Sequence, residues 1–195
     1  MTTSTSPESG FTERTATPPL THGADVAAVV ADVEARLKSI AKMDEVRFHL
    51  SGAEALVAAA RLARVNTGRP LLAAFGNGSH GWADGVSGMG VALGEERYAC
   101  DVLTLREMSA ATLKVVHMRR EEISAVLVNP LHGLLGAEHK GGPVALRRWL
   151  HELRATCERA AVPLIFDECG TGFRLARGGA QEYFGVRADV VCYGK

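Results

Sequence analysis

No two of the four cysteines, Cys100, Cys157, Cys169 and Cys192, stand at CxxC spacing. That excludes a zinc ribbon, a dithiol redox motif and a disulfide scaffold, and it fits a reducing compartment, so the expected location is cytoplasmic. No apolar run is long enough to span a bilayer. Met1 to Pro19 is rich in Thr, Ser and Pro and lacks the apolar region of a signal peptide. Excess charge of either sign is also missing: 22 Lys and Arg balance 22 Asp and Glu, so no nucleic acid or membrane partner is expected. His132, His139 and Asp101 are the only metal-ligand candidates that come to notice, and no two have helical or hairpin ligand spacing. No metal is therefore expected. The glycines of Gly85-Val86-Ser87-Gly88-Met89-Gly90 fit the dinucleotide fingerprint neither in spacing nor in strand–helix context, and read as a loop.

What is present is an alternation of strands and helices in 195 residues, enough for one sizeable core. Residues 1–23 read as a disordered tail. Residues 24–45 carry an amphipathic helix with Val26, Val29, Val30, Val33, Leu37 and Ile40 at helical spacing, a stripe expected to pack into a core. Residues 46–195 form the main domain. Val46 to Leu50 alternates and predicts a short strand. Ser51 and Glu54 have capping-box spacing, so a helix is expected from about Gly52 to Val65. Further strands are predicted at Leu71–Phe75, Asp101–Leu105, Ile123–Val128, Leu164–Phe166 and Ala188–Tyr193. Helices are predicted at Ala110–Met118, capped by Ser109, and at Pro143–Ala161, whose apolar stripe runs from Val144 to Ala160. The arginines Arg147, Arg148, Arg154 and Arg159 on that helix read as a solvated face. This order predicts an α/β fold, a largely parallel sheet with helices on both faces.

Two places gather chemistry. Ser51-Gly52-Ala53-Glu54 joins a glycine turn to a helix N-terminus, where free N–H groups and the helix dipole face an anion. Leu164-Ile165-Phe166-Asp167-Glu168 delivers an acidic pair to a strand's C-terminal end, where open α/β sheets bind ligands. It is followed by Thr171-Gly172-Phe173-Arg174, Gly178-Gly179-Ala180-Gln181, Asp189 and Gly194-Lys195.

The run from Leu164 to Lys195 resembles the class III pyridoxal-phosphate-dependent aminotransferases, especially their glutamate-1-semialdehyde aminomutase branch. The resemblance spans roughly Val46 to Lys195 and implies an incomplete large domain of the aspartate-aminotransferase type (fold type I). It implies pyridoxal 5'-phosphate as cofactor, with Lys195 forming the Schiff base and Asp167 pairing with the pyridine nitrogen. By the same resemblance Ser51, Gly52 and Ala53 cradle the phosphate, with Ala53 where the family has threonine. Cys169 packs on the ring where the family has valine. Ser79 and His80 belong to the loop that in the family stacks an aromatic ring on the cofactor, with Ser79 in the aromatic position. Asn129 stands for a glutamate and Leu134 for a polar amide. The implied reaction moves an amino group between a small amino compound and a carbonyl acceptor, in a homodimer. Two other readings stay open: a non-catalytic relic of the fold, and a half that needs a complementary polypeptide.

Overall fold

The computed structural model describes residues 23–75, 101–105, 108–130 and 142–194. The expectations for the tail to residue 22 and for Ser79, His80, Gly85–Gly90, His132, Leu134, His139 and Lys195 lie outside the described residues. Between Arg36 and Leu37 the chain divides into two units.

Helix α1 (Gly23–Ala41) crosses that division. In the first unit an i,i+4 pair, Arg36 Nε to Asp32 Oδ2 at 2.8 Å, lies on its exposed face. Its valine stripe differs from expectation: Val26, Val29, Val30 and Val33 are exposed, at 38–45%. Helical spacing creates an apolar face, but only a facing surface can bury it.

The second unit is built on five strands: β1 (Leu71–Phe75), β2 (Val102–Leu105), β3 (Ile123–Val128), β4 (Leu164–Glu168) and β5 (Val190–Tyr193). They form one sheet in the order β2-β1-β3-β4-β5, and every pairing is parallel. Central β3 is buried along its whole length, as a strand covered on both faces must be. Helix α2 (Gly52–Thr67) covers one face, where Leu56, Ala59, Ala60 and Ala63 pack on Leu72, Ala74, Ala125, Leu127, Ile165 and Cys192. Helices α3 (Ala110–Met118), α4 (Gly142–Ala160) and α5 (Gly179–Phe184) cover the other, around Phe75, Val126, Val128, Leu150, Phe166 and Phe184.

One irregularity sits at the start of β3. Leu71 pairs with Ile123, but Leu72 pairs with Ala125, so Ser124 is an extra residue in the register. Its hydroxyl donates to Leu71 O at 2.8 Å, which satisfies a polar group that is fully buried.

Several expectations are corrected. Val46–Leu50 is not a strand: Phe48 and Leu50 are 53% and 96% exposed, and among the described residues the segment pairs with no strand. Alternation supplies two faces without supplying a partner. Ser109 precedes α3 in extended conformation but makes no side-chain cap; its carbonyl accepts instead from Trp149 Nε1 at 3.2 Å. Val144 leaves the α4 stripe and is 74% exposed. The arginine face of α4 is not simply solvated. Arg154 donates to Asp189 Oδ2 at 2.7 Å and to Glu158 at 2.8 Å, while Arg147 donates to Tyr183 O at 2.6 Å. Asp189 Oδ2 also accepts from Leu164 N at 2.7 Å, fixing where β4 begins. Helix α5 went unforeseen, because six residues carry too little periodicity to read.

Leu153 on α4 is fully buried, so Leu153→Ala removes packing on the α4 side of the sheet. It should destabilise the chain by about 2–5 kcal/mol in urea unfolding, whereas Leu62→Ala, at a half-exposed position, should stay within about 0.5 kcal/mol.

Candidate functional site

The order β2-β1-β3-β4-β5 reverses direction at β1 and β3, so a crevice opens at the C-terminal ends of the strands. Register decides which side chains meet there. Val128 pairs with Phe166, so the next residues, Asn129 and Asp167, lie side by side. Asp167 in turn pairs with Cys192 on β5. Asp167 is 1% exposed. Its Oδ2 accepts from Asn129 Nδ2 at 3.3 Å and its Oδ1 from Cys169 N at 3.1 Å. It shares the α2 side of the sheet with Ile165 and Cys192, since alternate residues of a strand point the same way.

Glu168 therefore points to the opposite side. It too is fully buried, and accepts from Thr171 Oγ1 at 2.9 Å, Ala180 N at 2.6 Å and Gln181 N at 3.1 Å. Burial raises its pKa above the ordinary glutamate value, against those three donors, which lower it; the Asp167 charge raises it further. Gly179 has φ +74°, and a Cβ there would lie within 2.8 Å of Glu168 Oε1. The acidic pair is thus one carboxylate at the crevice and one that ties down the next turn.

That turn holds Thr171 to Arg174. The N–H groups of Thr171 and Gly172 donate to Glu168 O at 3.2 and 2.8 Å. Phe173 adopts φ +60° and stacks on Tyr193 at 4.9 Å between ring centroids. A Cβ on Gly172 would meet Tyr193 Cδ1 at 2.5 Å, so glycine is required for this stack. Burial, with the Glu168 charge behind it, pushes the Tyr193 phenol up to about 12.

On the α2 side, Ser51 caps the helix: its Oγ accepts from Glu54 N at 3.2 Å. The Glu54 carboxylate reaches back to Leu50 N at 3.1 Å, one residue earlier than in the usual capping box. Among the described residues the N–H groups of Gly52 and Ala53 have no partner. Gly52 is pressed against the strand ends. A Cβ on it would fall 2.6 Å from Cys169 Sγ and 3.9 Å from Gly194 Cα, and one on Gly194 would fall 3.2 Å from the same sulfur. The half-buried Cys169 thiol lies 3.7 Å from Cys192 O. Burial pushes the neighbouring Cys192 thiol up to about 12, so it is inert.

The sequence-singled residues Gly52, Cys169 and Asp167 thus converge, with Ser51 and Ala53 beside Gly52, and Gly194 brings the chain to them. The structure adds the contacts: Asn129 is a partner of Asp167, and Glu168 holds the following turn from the opposite side. The residue pair Asn129-Pro130 after an apolar strand was the available signal, but register cannot be read from a sequence.

The sequence matches the aminotransferase class-III family over residues 20–195. The chain belongs to that family. It is 39% identical over 171 residues to a glutamate-1-semialdehyde 2,1-aminomutase of Hydrogenobaculum sp. (strain Y04AAS1), a match that covers 82% of this chain and 39% of that protein. An omega-transaminase from Sphaerobacter thermophilus superimposes with a TM-score of 0.64 at 25% identity, covering 85% of this chain and 44% of that one. A transaminase with PLP bound superimposes with a TM-score of 0.68 at 25% identity, covering 89% and 41%. The parallel sheet with helices on both faces is part of the fold type I architecture of those transaminases. The chain spans about two-fifths of the length of the curated relatives it matches. No helix among the described residues is long and apolar enough to cross a membrane.

Gly52→Ala should cost about 1–3 kcal/mol in urea unfolding by overpacking against Cys169, and the cost should shrink in a Cys169→Ala background, where the sulfur is gone. Glu168 has a raised folded pKa, so its contribution is full below the ordinary value of 4.5 and is lost as pH rises through the folded value. Relative to Glu168→Gln, the wild-type unfolding midpoint should fall as pH climbs above 4.5.

Proposed function

We propose that this chain supplies the cofactor-holding part of a pyridoxal 5'-phosphate-dependent enzyme that transfers or relocates an amino group on a small amino compound, with a carbonyl acceptor. The observation that carries this reading is the meeting of a buried carboxylate, Asp167, with the free N-terminus of α2 through Cys169. These residues fit the group. Two N–H groups at Gly52 and Ala53, unpartnered among the described residues and at the positive end of a helix dipole, suit a phosphate. A carboxylate held between an amide and a backbone N–H suits a pyridine N–H.

Pyridoxal phosphate, when bound, supplies an aldehyde that takes up amines and a ring that accepts the electron pair left on a substrate carbon. The chain's own part is division of labour. Gly52 and Ala53 bind the phosphate through their N–H groups, and Ser51 holds the helix start in place by its bond to Glu54 N. Asp167 accepts the ring N–H, and Cys169 offers its half-buried side chain to the ring. Ser79 and His80 are proposed to border it. Lys195 anchors the cofactor through its amine and carries the proton at its Nζ. Its place directly after Gly194, which touches Gly52 and Cys169, supports that role. The relative at 39% identity, an aminomutase, favours relocation of the amino group within one substrate over transfer between two. A cytoplasmic location and a second copy of the chain as partner are part of the same proposal. Phe48, Leu50 and Leu62, exposed around a groove of about 830 Å³ beside β5, support association.

The test is the absorption spectrum of the chain with pyridoxal phosphate before and after borohydride, beside Lys195→Ala. A new band that borohydride fixes to Lys195, absent in the variant, is expected. An unchanged spectrum, or an equal band in both proteins, would overturn the reading.

A further inference from the structure

We propose that Asn129 is a positioning residue for Asp167, setting the plane of the carboxylate before the cofactor arrives; this rests on the reading of Asp167 above. The placement follows from the backbone. Val128 and Phe166 are register partners in adjacent parallel strands, so Asn129 and Asp167 continue the same ladder on the same face, with strands about 4.8 Å apart. Both side chains are buried, at 8% and 1% exposure. The amide Nδ2 donates to Oδ2 at 3.3 Å while Cys169 N donates to Oδ1 at 3.1 Å. Each oxygen is held from a different direction, one by β3 and one by the chain leaving β4. Rotation about the Cβ–Cγ bond of Asp167 would break both.

Two consequences follow for a ligand N–H. An ionised carboxylate offers about four lone-pair sites, and a ligand N–H is a further donor to one of them. That donor meets an acceptor already oriented, and little reorganisation is needed. The chemical type of residue 129 also matters. An amide presents a donor to the carboxylate, whereas an acidic side chain there would set a second negative charge within hydrogen-bonding range.

The test uses the full chain as wild type, Asn129→Ala, Asn129→Asp, Asp167→Ala and the Asn129→Ala/Asp167→Ala pair. Pyridoxal phosphate affinity is titrated by absorbance, and urea unfolding of the cofactor-free proteins is measured alongside. Asn129→Ala should weaken affinity roughly tenfold or more, the scale of a hydrogen bond to a charged group. Asn129→Asp, of the same shape but without the donor, should lose at least as much, and it carries the test if the alanine variant does not fold. In the Asp167→Ala background the Asn129→Ala change should alter affinity by less than about twofold, because its effect passes through the carboxylate. Equal losses in both backgrounds, or an unaltered affinity in Asn129→Ala or Asn129→Asp, would overturn the proposal while leaving the cofactor reading intact. A wild-type chain that takes up no cofactor would overturn both. Coupling of the pair in urea unfolding would then mark the contact as structural.

Discussion

Side chains alternate along β4, and the site depends on that alternation more than on any single contact. Asp167 and Glu168 are neighbours in sequence, both buried, and they face opposite layers of the protein. Had both pointed into one crevice, two carboxylates would have competed for the same donors in a low-dielectric setting. Instead each has its own set. Glu168 collects a hydroxyl and two backbone N–H groups from the turn and from α5, and so fixes the segment that carries Phe173. Asp167, at the strand end, accepts from an amide and from a backbone N–H. The two sets of partners are separated by one peptide unit.

The second constraint is closeness. Gly52, Cys169 and Gly194 come from a helix start and two strand ends, and the sulfur fills the space that side chains on the glycines would need. The N–H groups at the start of α2 are thereby brought against the ends of β4 and β5 without an intervening side chain. A helix dipole acts over little more than its first turn, so this approach determines whether it reaches anything bound at the strand ends.

Much of this was legible in the residues. Ser51 and Glu54 marked the start of α2, the apolar runs marked β1, β3 and β4, and Asp167 marked the crevice. Those signals are local, carried by spacing and by capping chemistry. What was not legible is pairing. Val46–Leu50 alternates like a strand and has none beside it among the described residues, and the α1 valines have helical spacing and stay exposed. Arg154 looked solvated until β5 placed Asp189 within 2.7 Å, and Asn129 looked like an isolated substitution until β3 set it against Asp167. Partners distant in sequence are supplied by the fold alone.

The extra residue in β3 has an effect far from where it sits. Ile123 packs on the α4 side, yet Ala125, two residues on, packs on the α2 side. Ser124 shifts the phase of the strand by one, and every later residue inherits the new parity. Counted without that shift, Asn129 would fall on the side of Ile123, turned away from Asp167. A serine hydroxyl bonded to Leu71 O at the opposite end of the strand therefore acts as the counter that decides which residue the carboxylate meets.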